Sequence, residues 1–338
     1  MQCMVTVIVH PSQFPEAVRG ELLKSLRTRK INHKFHYDSI KQVQKWVAVH
    51  EAYSPWYNDA TCRVIYRRSF EETVAQVHPE IVHVIGLGCG TGKKDLDLLK
   101  LLEAKGKDVF YTPCDSSLAM VLSARQTARK VLPAENCYPL VCDLDKAIDL
   151  GCVLSHIENA YASRLTQRQK GTRPARLVTF FGMIPNFDPL LAMRRLSHSV
   201  QPGDFLLLNV NLVPGSNPVA GMQKIFPQYD NSLTRDWLMT FLLELGIGHA
   251  EGKLRFEIGS GQLGIKRVVA KFHFNRTATV RVEHHRFVFK PTDAIQLFYS
   301  YRYTPDQLRR LLARHGFTVT GEWVTRSGEE AVFCCVRA

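Results

Sequence analysis

The strongest periodic signal in the chain begins at Ile81. The run IVHVIGL (81–87) is apolar but for His83 and has the length of a buried strand, a glycine loop follows, and Lys94–Lys105 repeats apolar positions at helical spacing. The alternation predicts a strand over Asp108–Thr112, a helix over Ser117–Val131 and a strand over Tyr138–Cys142. It resumes after a loop rich in Arg, Gln and Gly: LVTFFGMI (177–184) reads as a fourth strand, Pro189–Val200 as a helix and DFLLLNVNL (204–212) as a fifth strand. Strands alternating with helices predict a parallel sheet covered by helices on both faces. From about Val213 to Leu297 the rhythm breaks. A Pro/Gly/Asn-rich stretch leads to an amphipathic helix near Thr234–Leu245 and then to the alternating stretches VVAKFHF (268–274) and ATVRVEHHRFVF (278–289), which read as an inserted, strand-rich lobe. The α/β pattern then returns. Thr304 as N-cap, Pro305 at the first helical position and Gln307 as capping-box partner open a helix that Gly316 closes. FTVTGEW (317–323) and EAVFCCV (330–336), joined through Ser327-Gly328, are expected to pair as an antiparallel hairpin at the sheet edge.

Composition narrows the classes. A chain of 338 residues, 45% hydrophobic and 22% charged, is that of a globular protein of two domains or of one domain with an insertion, not of a disordered chain. It has no apolar run of membrane-spanning length, and its first residues lack the charge and cleavage pattern of a secretory leader, so a cytoplasmic location is expected. Nine cysteines with no CxxC pair and no metal-site spacing read as thiols in a reducing compartment. The net charge of +13 raises the prospect of an anionic partner, but the basic residues are scattered and the densest patch, Arg27-Thr28-Arg29-Lys30, fits a solvated helix end, which argues against nucleic acid.

The loop Gly86-Leu-Gly-Cys-Gly-Thr-Gly92 lies where an α/β sheet binds a nucleotide-like ligand. The dinucleotide fingerprint fails, because Thr91 and Lys93 stand where its third glycine is needed, and the phosphate loop fails at Leu87 and Lys94. What remains is GxGxG on Gly86, Gly88 and Gly90, followed by Asp115 after the second strand and Asp143 after the third. A carboxylate at the first position can accept both ribose hydroxyls, and one at the second can accept an adenine amino group. Both acids have a simpler reading as helix caps. This order resembles the class I S-adenosylmethionine-dependent methyltransferases.

Phe181-Gly-Met-Ile-Pro-Asn-Phe-Asp-Pro189 is similar to the Asn-Phe-x-Pro segment of the ergothioneine-pathway histidine Nα-methyltransferases and the related dimethylallyltryptophan N-methyltransferases. His36-Tyr37-Asp38 and Tyr53-Ser54-Pro55 resemble that family's FYD and YYP elements, Gln228-Tyr229-Asp230 its YDD element, and Ser300-Tyr301-Arg302-Tyr303 its S-x-K-[FY] element. The resemblance implies that Asn186, Tyr53 and Tyr229 hold an amino acid's amino and carboxylate groups, with Tyr37 nearby, Ser300 on the substrate side and Lys94 beside the cofactor. Departures matter too. Phe298 stands where the histidine enzymes carry a glutamate for the imidazole, Gly182 is the single glycine around the Asn-Phe segment, and Ala270 stands in place of a bulkier methionine. A phenyl ring accepts no N–H bond, so these changes point to a roomier, more apolar pocket suited to an indole.

The expectation is therefore an α/β enzyme with a Rossmann-like cofactor domain over 57–213 and 298–338, a substrate lobe over 1–56 and 214–297, S-adenosylmethionine as cofactor and no metal. The small amino-acid substrate would be methylated at its α-amine. Histidine as substrate, an RNA or protein substrate, and a silent cofactor-binding protein are the alternatives.

Overall fold

The computed structural model describes residues 4–165 and 173–337. Cys3 and most of the Arg/Gln/Gly-rich loop, residues 166–172, lie outside the described residues. The main sheet has eight strands: β1 (Ile8–Val9), β2 (Ile81–Leu87), β3 (Asp108–Asp115), β4 (Leu140–Val141), β5 (Ala175–Phe180), β6 (Phe205–Asn211), and two C-terminal strands that close the chain. Between β6 and that hairpin come β7 (Gly252–Ser260), β8 (Lys266–Phe274), β9 (Ala278–Val282), β10 (His285–Phe289) and β11 (Ala294–Arg302); β12 (Phe317–Val324) and β13 (Glu330–Arg337) are the hairpin. The order across the sheet is β1-β4-β3-β2-β5-β6-β13-β12. Pairing is parallel from β1 to β6, and β13 joins β6 antiparallel with β12 outside it.

The α/β architecture expected from periodicity is present, and helices cover both faces. Alternate residues of one strand serve opposite cores. Val82 and Val84 pack with Leu98, Leu99 and the helix Ala60–Val74, while Ile85 and Leu87 pack with Leu154, Leu196 and Leu311 of three helices on the other face. Each leucine so buried contributes about 1.5–3 kcal/mol. At the C-terminal helix, Thr304 Oγ1 accepts the Gln307 N–H at 3.2 Å and Gln307 Oε1 accepts the Thr304 N–H at 2.9 Å, the reciprocal cap that the spacing predicts.

Four elements depart from the periodicity. The third core strand shrinks from Tyr138–Cys142 to Leu140–Val141, and Ile8–Val9 extends the sheet beside it. The segment Leu150–Ala162 is a helix, and Gly252–Ser260 is a strand whose mixed polarity hid it, because it is the edge of a three-stranded sheet ordered β11-β8-β7. This sheet, the hairpin β9-β10 and the helix Ser232–Glu244 enclose a separate core around Trp237, Leu238, Phe272 and Phe298. They form the second lobe. Strand β11 ties this lobe to the rest: Gln296 pairs with the segment at Lys30, and Tyr303, just beyond the strand, pairs with Leu212 after β6.

Candidate active site

The carboxyl ends of the parallel strands, the N-terminal helices and the second lobe surround a cavity of about 820 Å³. Gly88, Gly90, Lys94, Asp115 and Asp143 line it, and so do Tyr37, Tyr53, Asn186, Tyr229, Phe298 and Ser300. Of the sequence-predicted site residues, Gly86 alone is not on the wall. It is buried within β2, where a Cβ would meet the Asp95 carboxylate at 2.5 Å and the Tyr111 hydroxyl at 2.9 Å, so packing accounts for this glycine. Gly88 is different: its φ of 67° turns the chain at the wall, and a side chain there would collide with Met183.

Asp115 ends β3. One oxygen accepts the Gly90 N–H at 3.2 Å and the other the Ser117 N–H at 3.0 Å. Burial pushes this carboxyl up to about 6 in spite of the amide donors. The cap of the helix Leu118–Ala128 is the Ser117 hydroxyl, which leaves Asp115 free of the capping role that its position also suggested. Asp143 is more engaged. It accepts the Asp145 N–H at 3.0 Å and pairs with the Lys34 ammonium at 2.9 Å, an ion pair that brings the N-terminal segment over this end of the cavity. Asp145, beside it, is pushed up to about 6 by burial and by the Asp143 charge.

Sequence reading missed the floor of the site. Lys94 Nζ donates to the Tyr66 hydroxyl at 2.6 Å, Tyr66 donates to Glu330 at 2.6 Å, and Asn209 Nδ2 donates to the same Glu330 oxygen at 2.9 Å. Asn209 in turn accepts the Gly182 N–H, so the chain of bonds runs from the helix after the glycine loop to the segment that carries Asn186. The Lys94 ammonium also lies 4.5 Å from the centroid of the Tyr66 ring. The available signal was Glu330, a lone acid heading an apolar strand, since a buried acid needs partners.

Another part of the wall is aromatic, and it adjoins the glycine loop through Trp46, which lies against Gly90. Phe298, 7% exposed, stacks on His33 with centroids 4.9 Å apart and meets Trp237 edge-on at 5.6 Å. Ala270 is its cross-strand neighbour but is buried in the core of the second lobe and is not on the cavity wall, so the extra room expected from it is not seen there. Tyr37 sits between Trp46 at 5.7 Å and Trp237 at 5.6 Å, and burial raises its hydroxyl above the ordinary range, which keeps it protonated. Burial holds His33 neutral down to about 3, and burial with the Lys94 and Lys93 charges does the same for His50. The Tyr229 hydroxyl lies 3.0 Å from Ser300 Oγ. Asn186 Nδ2 donates to the Gly182 carbonyl at 3.5 Å, and the cap of the next helix is Asp188, so Asn186 is not spent on capping.

The family model of the histidine-specific, S-adenosylmethionine-dependent methyltransferases matches residues 18–248 and 264–337. The chain belongs to this family. This methyltransferase has no match among curated proteins. Among solved structures it is similar to the magnesium protoporphyrin IX methyltransferase of Synechocystis, with 14% identity over 90% of this chain and 97% of the other and a TM-score of 0.43. It is also similar to the 1,6-didemethyltoxoflavin N1-methyltransferase of Burkholderia thailandensis, with 10% identity over 88% of each chain and a TM-score of 0.42.

S-adenosylmethionine is the methyl donor of the family, and the wall fits it: Asp115 is a half-buried carboxylate on the cavity wall with no cationic partner among the described residues, beside a loop whose left-handed turns let backbone come close. Among the described residues no cluster of three or more metal-ligating side chains occurs, and no helix is long and apolar enough to cross a membrane.

Proposed function

We propose that this methyltransferase modifies the α-amine of a free amino acid with a large aromatic, indole-like side chain. The observation that carries the reading is Phe298: its ring, with Trp237 and the neutral His33 about it, makes an aromatic surface without a carboxylate where a histidine enzyme would need an acceptor. Such a surface favours a large ring with much apolar area; the ring N–H of an indole goes unmet there as that of an imidazole does, but the indole buries more hydrocarbon and carries no second polar nitrogen.

S-adenosylmethionine supplies an electrophilic methyl on a sulfonium sulfur. In this reading Asp115 accepts the ribose hydroxyls, Gly88 and Gly90 let the backbone lie against the ligand, and Asp143 and Lys94 border it. Asn186, Tyr53 and Tyr229 would orient the amino acid's head group toward the methyl carbon. The α-ammonium would first give its proton to a tyrosine or a water near Tyr53, with S-adenosylhomocysteine as the leaving group, while amide and phenol groups hold the amine without adding a charge that repels the sulfonium. Tyr37, held protonated, acts as a donor and as wall, not as the base. In this reading 57–213 and 298–338 serve mainly the cofactor and 1–56 and 214–297 the substrate, with Asn186 and the β11 residues Phe298 and Ser300 on the substrate side as well.

Histidine is the second reading, favoured by the family's description. Incubating the protein with S-adenosylmethionine and equal concentrations of tryptophan, ring-substituted tryptophans, histidine, tyrosine and phenylalanine, and reading product mass, tests both. Indole amino acids are expected to be methylated first. Histidine ahead of them replaces the proposal by the second reading, and no methylation of any free amino acid removes the substrate class.

A further inference from the structure

Arg302 ends β11 on the cavity wall, 3% exposed. Its Nε donates to the Tyr229 hydroxyl at 3.0 Å, Nη1 to the Leu212 and Glu329 carbonyls at 3.0 and 3.3 Å, and Nη2 to Gln228 Oε1 at 2.9 Å. The guanidinium carbon also lies 5.4 Å from the centroid of the Tyr229 ring. Every one of these acceptors is neutral. The nearest acid in the network, Glu329, is held away through Gln228, which donates to it at 2.7 Å, and pairs with Lys224 at 3.5 Å. Among the described residues no carboxylate forms an ion pair with Arg302.

A buried cation with only neutral partners is costly, and an anion brought beside it recovers part of that cost. A guanidinium has five N–H donors, and the bonds above use four of them, which leaves one on Nη2. Because Nε donates into the Tyr229 oxygen, the hydroxyl proton of Tyr229 points away from Arg302, toward Ser300 or toward a ligand oxygen in the cavity. Tyr229 and Ser300 thus make this part of the cavity a donor set backed by the full positive charge of Arg302.

We infer that Arg302 is the positioning residue for a free substrate carboxylate, acting through Tyr229. The inference rests on the amino-acid reading above and adds to it the residue that makes the carboxylate a requirement. The substrate carries an unblocked α-carboxylate, which excludes decarboxylated amines, esters, amides and residues inside a peptide. A lysine would not replace it, because one ammonium cannot hold the four divergent acceptors at once.

The test compares an indole amino acid with its decarboxylated amine and its amide, for the wild type, Arg302→Lys and Arg302→Met, with S-adenosylhomocysteine affinity measured by calorimetry on each. Wild type is expected to favour the amino acid. Arg302→Met should raise KM for the amino acid roughly 10- to 100-fold, the range for hydrogen bonds to a charged group, with a much smaller change in kcat. The amine and the amide, having no carboxylate to lose, should change by a few-fold at most, and Arg302→Lys should fall between. Equal losses on amine and amino acid with cofactor affinity intact would reduce Arg302 to scaffolding and overturn the inference, as would a wild type indifferent to the carboxylate. Should Arg302→Met lose S-adenosylhomocysteine binding and so fail to fold, the ratio of amino acid to amine in Arg302→Lys decides. A wild type that binds S-adenosylhomocysteine yet methylates none of the three compounds instead defeats the amino-acid reading, a failure distinct from a flat response across the variants.

Discussion

Two adjoining parts of the cavity wall, a cofactor end and a side-chain end, are built by opposite means. The cofactor end is a sheet edge: a glycine loop, Asp115 and Asp143 follow three neighbouring strands, and their positions are set by the backbone of a parallel sheet. The side-chain end is a collar of rings gathered from segments far apart in the chain, with His33 against Phe298 and Tyr37 between Trp46 and Trp237. One end offers donors and acceptors at fixed points, and the other offers area. The difference teaches where selectivity sits: the chemistry common to the family is held by main-chain geometry, while the identity of the substrate hangs on a few side chains that substitution can exchange without disturbing the sheet.

The sharpest way to break this division is at Asp115. Replacing it with alanine removes an acceptor for two ligand hydroxyls and should weaken S-adenosylhomocysteine binding by about 1.5–3 kcal/mol, while the relative preference among amino acids stays as in wild type. Calorimetry with the folded variant checks the first part and competition assays the second. An unchanged affinity removes Asp115 from the site, and a changed preference means that the two ends are not separable.

Phe298→Glu works from the other end. It puts an acceptor on the aromatic wall where an imidazole N–H would otherwise go unmet at about 1–3 kcal/mol, so the ratio of histidine to tryptophan turnover should rise by roughly tenfold or more. Cofactor affinity should stay near wild type. In a competition at equal concentrations, a wild type that already favours histidine shows that another residue supplies the acceptor, and a variant that loses both substrates shows that the collar does not tolerate the charge.

The ease with which each end could be read from sequence follows the same division. The glycine loop with Asp115 and Asp143 was legible because its parts recur at the ends of successive strands, although Gly86 serves packing against Asp95 and Tyr111 and not the ligand. The capping box at Thr304 was legible because both partners lie within one turn. Trp237, Arg302 and Glu330 were not, since each becomes part of the site only through a distant partner: Tyr66 and Glu330 are 264 residues apart, and the Trp237 indole N–H reaches the His36 carbonyl across 201. Phe298 stood out only as a departure from a family pattern. Lys34 gave no local signal at all, because its interest lies wholly in the ion pair with Asp143.

The smallest effect separates the two ends by titration. Asp115 is pushed up to about 6 by burial, and the ionised form is the one that accepts ligand hydroxyls on both oxygens. Lowering the pH from about 7.5 to about 5.5 should therefore weaken S-adenosylhomocysteine binding by about fourfold as the carboxylate protonates. The aromatic collar stays silent over that range, because His33 and His50 remain neutral down to about 3. Folding stability has to be tracked alongside, and its signs oppose one another. Asp115 and Asp145, raised above their ordinary range, contribute stability at low pH that is lost as pH rises through about 6. The buried neutral His33, His36 and His50, depressed to about 3, about 4 and about 3, contribute stability at neutral pH that is lost as pH falls below about 6.5. Three histidines with larger shifts outweigh two acids, so the melting temperature of the ligand-free protein should fall on acidification while enough protein stays folded near pH 5.5 to titrate. Asp115→Asn, which binds more weakly at every pH and has no carboxyl to protonate, is the control: its affinity should be flat between the two pH values, and a fourfold drop in this variant as well would assign the dependence to another group.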